Sequence, residues 1–284
     1  MKDYAAEKNN LVCLVGRFDG VTTQQLGIVQ EKIQEIGKLD WIIVMPDSYD
    51  GDEDTTFIDL RQRTILLLRA FFPGTMCILF ETISDTMKQL NPNVKFNFFY
   101  GGFYDDHKKY KQMMTEICFQ NNFQISDSHI INYTHDVDIP AHRELRKLLH
   151  CGDIERLNIL LGREFCLQGP VVHGLQNGRK IGFPTANILT DEHQILPEDG
   201  VYAVQVGFEG RKITGMANIG CRPTFNGNSR SVEVNIFNFD MDIYECQLEL
   251  YFYIKIRGER KFSDIGSLKA QIDEDKIQIE AYFS

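Results

Sequence analysis

Glycines, cations and oxygen donors crowd into the fourteen residues from Gly174 to Asn187, G-L-Q-N-G-R-K-I-G-F-P-T-A-N. Gly174, Gly178 and Gly182 let a backbone pass close to a bulky polyanion with no Cβ in the way. Arg179 and Lys180 place positive charge beside it. Thr185 and Asn187 are two residues apart, so in an extended segment their oxygens share a face. A hydroxyl and an amide carbonyl are hard donors suited to Mg²⁺, which keeps several waters and shares phosphate oxygens. Pro184 fixes the turn before them. The chemistry on offer is a cradle for a nucleoside triphosphate with its own metal ligands. It is not a P-loop, because G-x-x-x-x-G-K-[ST] does not occur in the chain. On composition alone, an ordinary glycine-rich hairpin followed by a Pro-Thr turn remains the alternative.

Glu233 is the second candidate. In S-V-E-V-N-I from Ser231, Val232, Val234 and Ile236 share one face of a strand, and Glu233 lies on the other with Ser231 and Asn235. Such a carboxylate is either outward and solvated or placed as a general base. The surroundings of both candidates resemble a known family. V-V-H-G-L-Q-N-G-R-K-I-G-F-P-T-A-N-I, G-V-Y-A-V from Gly200, N-I-G-C-R-P-T-F from Asn218, S-V-E-V from Ser231 and I-K-I-R-G-E-R-K-F ending at Phe262 occur in order. Together they resemble the riboflavin kinases over roughly residues 155–284.

That resemblance implies ATP- and Mg²⁺-dependent phosphorylation of riboflavin to FMN. It makes Glu233 the base that takes the proton from the ribityl 5′-hydroxyl, and Thr185 and Asn187 the residues that hold metal and phosphates. It also implies that the loop Asn218–Phe225 shapes the pocket and that the loop from Arg257 to Phe262 covers the flavin. There Arg257, ahead of Arg260, would contact substrate or product phosphate, and Phe262 would lie on the isoalloxazine ring. A solvated basic loop before a helix is the alternative for Arg260 and Lys261. The same family fold is a small Greek-key β-barrel with a closing C-terminal helix.

The elements that must position these residues divide into two halves. Apolar runs at Leu11–Gly16, Trp41–Met45, Thr75–Phe80 and Lys95–Tyr100 read as buried strands. Helical spacing follows the first strand to about Leu39, recurs from Thr56, and occupies 106–120 and 140–160. Alternating strands and helices predict a doubly wound, Rossmann-like α/β domain over residues 1–152. Gly16–Gln25, G-R-F-D-G-V-T-T-Q-Q, resembles the start of the FMN adenylyltransferase domain of bifunctional FAD synthetases.

Where that family has H-x-G-H, this chain has Thr22, Thr23, Gln24 and Gln25, which cannot carry an imidazolium charge. Its S-S-T-x-I-R motif falls on Ala141–Arg146, where Glu144 replaces a cation and Arg146 is kept. Tyr100–Asp106 adds two carboxylates where a short glycine-aromatic phosphate loop is expected. A nucleotidyltransferase fold without its catalysis is the expectation. A complete bifunctional enzyme and a non-catalytic, flavin-sensing regulator are the rivals. Phe18–Gly20 is either a turn after a strand or a ligand contact.

Asp153 is placed to cap a short helix that buries Leu157, Leu160 and Leu161 and ends at Gly162. From residue 153 to 284 the pattern changes. Runs at 200–206, 213–220, 231–239 and 247–256 are β-branched, aromatic and of period two, with glycine-containing turns and no helices between them. An antiparallel barrel is predicted. An amphipathic helix from Asp264, with Ile265, Leu268, Ile272 and Ile279, closes it.

The chain has 284 residues, 43% hydrophobic and 25% charged, which is room for two ordinary cores. A net charge of −10 argues against nucleic acid or an anionic membrane as the main partner. No apolar run approaches the ~18 residues of a membrane span. The seven cysteines are dispersed, and no secretory leader is recognisable ahead of them, which reads as the reduced thiols of a cytoplasmic protein. The seven histidines show no metal-ligand spacing.

Overall fold

The computed structural model describes residues 10–16, 22–36, 38–45, 68–102, 107–132, 142–174, 177–190, 194–224 and 227–284. Phe18–Gly20, most of the helical stretch expected from Thr56, and Phe103–Asp106 lie outside the described residues. The described residues up to Asn132 form one compact unit and those from His142 onward another.

The first unit is built on β1 (Asn10–Gly16), α1 (Thr23–Ile36), β2 (Trp41–Val44), β3 (Met76–Leu79), α2 (Ile83–Met87), β4 (Lys95–Gly102), α3 (His107–Gln120) and β5 (Gln124–Asn132). Its five strands are parallel, in the order β3-β2-β1-β4-β5. Successive residues of β1 serve opposite faces. Leu11, Cys13 and Val15 join a core with Phe96, Phe98 and Tyr110, while Leu14 joins another with Leu26, Val29 and Ile42. Burial on both faces is why these strands read as continuous apolar runs. Chain order reverses between β1 and β4, the switch point of a doubly wound sheet. β5 was not legible as a strand. It lies at the sheet edge and its sequence, Q-I-S-D-S-H-I-I-N, is two-thirds polar.

The second unit opens with α4 (His142–His150) and α5 (Ile154–Leu161). Helical structure was expected over 140–160, with a short helix starting at Asp153; the chain turns between the two helices at Gly152, at φ 72°. Asp153 then caps α5 by accepting from the Arg156 N–H, and Gly162 ends it in the left-handed region, as its sequence predicts. Asn158 secures α5 to the barrel, donating to the Phe252 carbonyl at 2.8 Å and accepting from the Phe165 N–H at 2.7 Å.

Strands β6 (Phe165–Val172), β7 (Ala186–Ile188), β8 (Gly200–Phe208), β9 (Arg211–Thr224), β10 (Gly227–Ile236) and β11 (Gln247–Gly258) close a barrel in the order β10-β7-β6-β11-β8-β9, all pairs antiparallel. Closure leaves no edge strand. Leu167, Val204, Val206, Ala217, Ile219, Val232, Val234 and Leu250 fill the interior. Alternate residues face outward, and α7 (Ile265–Phe283) covers part of that outer face. Ile272, Ile279 and Phe283 pack there on Val201, Met216, Ile254 and Ile256. Asp264 caps α7 through the Ser267 N–H at 2.9 Å. Ile265, expected on the buried stripe, is 68% exposed because it starts the helix beyond the barrel wall.

Candidate active site

Glu233 sits at mid-strand on β10, and its backbone neighbours place it. Val232 and Val234 point into the barrel, so Glu233 points out. Across β7 it is paired in register with Asn187, and across β9 with Asn218. The row continues from Asn218 to Val201 on β8 and from Val201 to Arg257 on β11. Strands lie about 4.8 Å apart, so Glu233 and Arg257 are separated by three steps, roughly 14 Å measured along the wall. One line of strand pairs thus joins the expected phosphate end to the expected flavin end.

The glycine loop folds onto this row. Thr185 donates its hydroxyl hydrogen bond to Oε2 of Glu233 at 3.0 Å, across 48 residues of sequence. Asn235, two residues past Glu233 on the same face, donates to the Pro184 carbonyl at 2.6 Å and holds the Pro-Thr turn against β10. Asn187 is buried. Gly174 makes room for it: a Cβ at 174 would overlap the Asn187 amide. Gly178 opens a helical turn, α6 (Asn177–Lys180), and a Cβ there would overlap the Phe183 carbonyl and lie 3.3 Å from Thr185 Oγ1. Gly182 has φ 88°, which glycine alone adopts freely. Two glycines are therefore demanded by close packing and the third by backbone conformation.

A cleft of about 430 Å³ adjoins the loop at one mouth of the barrel. Thr185, Arg179 and Pro184 line one side, interior-facing Val171, Val234 and Ile236 its floor, and Phe239–Tyr244 the other side. Tyr244 is stacked on His173 with ring centroids 3.9 Å apart. Reading of the sequence missed this wall. Its signal is the run F-D-M-D-I-Y between two strands, apolar and ring side chains alternating with carboxylates, longer than a tight hairpin needs.

The Arg257–Phe262 segment is organised by α7. Arg257 makes a two-pronged ion pair with Asp275, Nε at 3.0 and 2.9 Å and a terminal nitrogen at 2.9 Å. Its guanidinium also lies 5.7 Å from the centre of the Phe262 ring. Arg260 donates to Gln271 at 3.1 Å, and Gln271 to Asp275 at 3.0 Å. The structure thus brings Gly174, Gly178, Thr185, Asn187 and Glu233 together, places Arg179 at the cleft and Lys180 at the end of α6, and gathers Arg257, Arg260 and Phe262 beside α7.

In the first unit, Thr22 is buried and Thr23–Gln25 open α1. On α4, Arg146 is buried and Glu144 accepts from Arg156 at 3.2 Å. Among the described residues no group of three or more His, Cys, Asp or Glu side chains has metal-binding spacing. No described helix is long and apolar enough to cross a membrane.

Residues 161–283 match the family model described as Flavokinase, riboflavin kinase. Curated relatives are bifunctional riboflavin kinase/FMN adenylyltransferases. That of Bacillus subtilis is 42% identical over 143 residues, 49% of this chain and 45% of the relative. That of Listeria monocytogenes is 34% identical over 182 residues, 64% and 58% of the two chains. The chain spans about half the length of the curated relatives it matches. A crystal structure described as a macrolide-efflux protein from Streptococcus pneumoniae superposes with TM-score 0.69 at 24% identity, over 95% of this chain and 94% of that one, and so shares its fold. The glycine loop, the Pro-Thr-Ala-Asn segment, Glu233 and the barrel under them all fall inside the family match: residues 161–283 are a domain of the riboflavin kinase family.

Proposed function

We propose that the chain transfers the terminal phosphoryl group of ATP to the ribityl 5′-hydroxyl of riboflavin, giving FMN and ADP. The observation that carries this reading is the hydrogen bond from Thr185 to Glu233, with Asn187 opposite Glu233 in register. Phosphoryl transfer to an alcohol is mostly positioning and charge stabilisation, plus a base for the alcohol's proton. Glu233 is the carboxylate in this constellation, and the Thr185 hydroxyl fixes the direction of one of its oxygens.

The donor set fits Mg²⁺. Thr185, Asn187 and Glu233 offer hard oxygens side by side, in a cradle that a Cβ at residue 174 would fill. Thr185 and Asn187 would hold the ion, which would supply positive charge against the phosphates. The cleft beside Arg179 and Thr185 is sized for a nucleotide base, with Phe239 and Tyr244 as apolar walls. The flavin would extend from Glu233 across Asn218 toward Arg257 and Phe262. Riboflavin and FMN are the expected ligands, and the protein is expected to act in the cytoplasm.

We assign the unit from His142 onward, which contains the expected 153–284, to this kinase domain, and the unit up to Asn132 to an FMN adenylyltransferase-like domain without adenylyltransferase activity. Support for the loss is chemical: Thr22–Gln25 provide no imidazolium where phosphoryl charge develops, and such stabilisation is worth several kcal/mol. The test is one assay that separates FMN from FAD. Riboflavin and MgATP should yield FMN and ADP. Glu233→Gln should lower kcat by about 10²- to 10⁴-fold with nucleotide affinity kept. An unchanged kcat would remove Glu233 from the role.

A further inference from the structure

Gly220 follows Asn218 by two residues on β9 and shares its outward face, since Ala217 and Ile219 point into the barrel. A Cβ at 220 would overlap Oε1 of Glu259 and lie 3.7 Å from Nδ2 of Asn218. The carboxylate of Glu259 therefore rests on bare backbone, beside the row of Asn187, Glu233 and Asn218. Among the described residues no donor hydrogen-bonds to it, and Glu259 is exposed.

The placement follows from its neighbours in sequence. Arg257 is held by Asp275 and Arg260 by Gln271, both on α7. With the flanking cations turned to the helix, Glu259 is turned to the barrel wall. Gly220 is one strand over and two residues along from Glu233, roughly 8 Å at 4.8 Å per strand and 3.3 Å per residue. An ionised carboxylate offers only acceptors, so what it recognises there is a donor.

We infer that Glu259 is a recognition residue for the polyol chain of the substrate, accepting from hydroxyls between the ring and the reacting 5′ end. This rests on the riboflavin kinase reading above. The ribityl chain is the donor-rich part of the flavin, and a chain whose 5′-hydroxyl sits at Glu233 passes over Asn218 and Gly220 on its way to Arg257. Gly220, on which Glu259 rests, lies two strands from Asn187, so Glu259 acts on flavin affinity rather than on the chemical step.

The experiment uses the full chain with Glu259→Ala and the shape-conserving Glu259→Gln. Steady-state kinetics with riboflavin and MgATP are paired with binding of lumiflavin, which keeps the ring and lacks the polyol. Glu259→Ala should raise the riboflavin KM by about 10- to 100-fold, the range for losing a hydrogen bond to a charged group. The ATP KM and the lumiflavin affinity should stay within about two-fold of wild type. Glu259→Gln, which keeps one carbonyl acceptor, should fall between. An unchanged riboflavin KM in an active, folded Glu259→Gln or Glu259→Ala protein overturns the inference alone. Equal losses for lumiflavin and riboflavin also overturn it, since they place the effect on the ring. Wild-type protein that consumes no ATP with riboflavin overturns the kinase reading and this inference with it.

Discussion

Arg257 and Asp275 offer an asymmetric test of how the flavin-side loop is held. The Asp275 side chain is 1% exposed, and that of Arg257 is 11% exposed. Arg257→Ala strands a buried carboxylate whose remaining hydrogen-bond donor is Gln271 at 3.0 Å. Breaking a buried pair from one side costs about 3–5 kcal/mol. Asp275→Ala strands a guanidinium instead, but one that still donates to the Gly258 carbonyl at 3.1 Å, lies over Phe262 and can turn its long stem toward water. Its cost should be smaller, about 1.5–3 kcal/mol for the charged hydrogen bonds lost. The double replacement Arg257→Met with Asp275→Leu should recover most of the loss, because no charge is left in the barrel wall. Urea unfolding followed by far-UV circular dichroism measures all three. With m about 2 kcal/mol/M, Arg257→Ala should move the midpoint down by roughly 2 M. Trp41, the chain's one tryptophan, belongs to the first unit and gives a separate fluorescence record of that unit. An Arg257→Ala cost below about 1 kcal/mol, or an Asp275→Ala cost as large as that of Arg257→Ala, would refute the reasoning from burial.

Gly174→Ala pushes a methyl into the Asn187 amide and should weaken apparent Mg²⁺ affinity by about 10- to 100-fold, read from the Mg²⁺ dependence of the kinase rate, with the dichroism spectrum unchanged. The Asp264 carboxyl is pulled down to about 2 from an ordinary 3.8, first by the Ser267 N–H and then by the hydroxyls of Ser267 and Ser263. A depressed carboxyl stabilises the fold above its unfolded value and loses that contribution as pH falls through the folded one. The Tm difference between wild type and Asp264→Ala should therefore be constant from pH 6 to about 4 and shrink between about 4 and 2. Incubation of FMN with MgATP should yield no FAD by chromatography; robust FAD formation would overturn the proposed loss in the first unit.

Much of the fold was legible because burial leaves period and composition in the chain. β1 to β4 are apolar runs covered on both faces, and β8 to β11 alternate because one face fills a barrel. What escaped reading lacks those marks. β6 carries Gly169 and Pro170, Gly169 because the Leu189 carbonyl presses where a Cβ would be. β7 is three residues long, too short for any period, yet it carries Asn187. The site was legible as a set of residue types, and Thr185, Asn187 and Glu233 do converge. Their convergence depends on strand register across 48 residues, which local sequence does not encode. Asn235 was readable as sharing the face of Glu233 and Asn218 as the start of a pocket loop, but the contact of Asn235 with the Pro184 carbonyl and the pairing of Asn218 with Glu233 depend on the same register. The Arg257–Asp275 pair joins a strand end to the second half of a helix, and no spacing rule links positions 18 apart.

The unbroken ring of hydrogen-bonded strands has a metrical consequence. Since no strand is free to slip, the separation between the carboxylate of Glu233 and the guanidinium anchored at Arg257 is a property of the wall and not of the loops over it. The barrel acts as a gauge. An alcohol one carbon shorter or longer than the span it was built for presents its hydroxyl off the mark by a bond length. Replacements in the covering loops then alter how tightly a substrate is gripped, while tolerance for chain length stays fixed until the register of the strands themselves is changed.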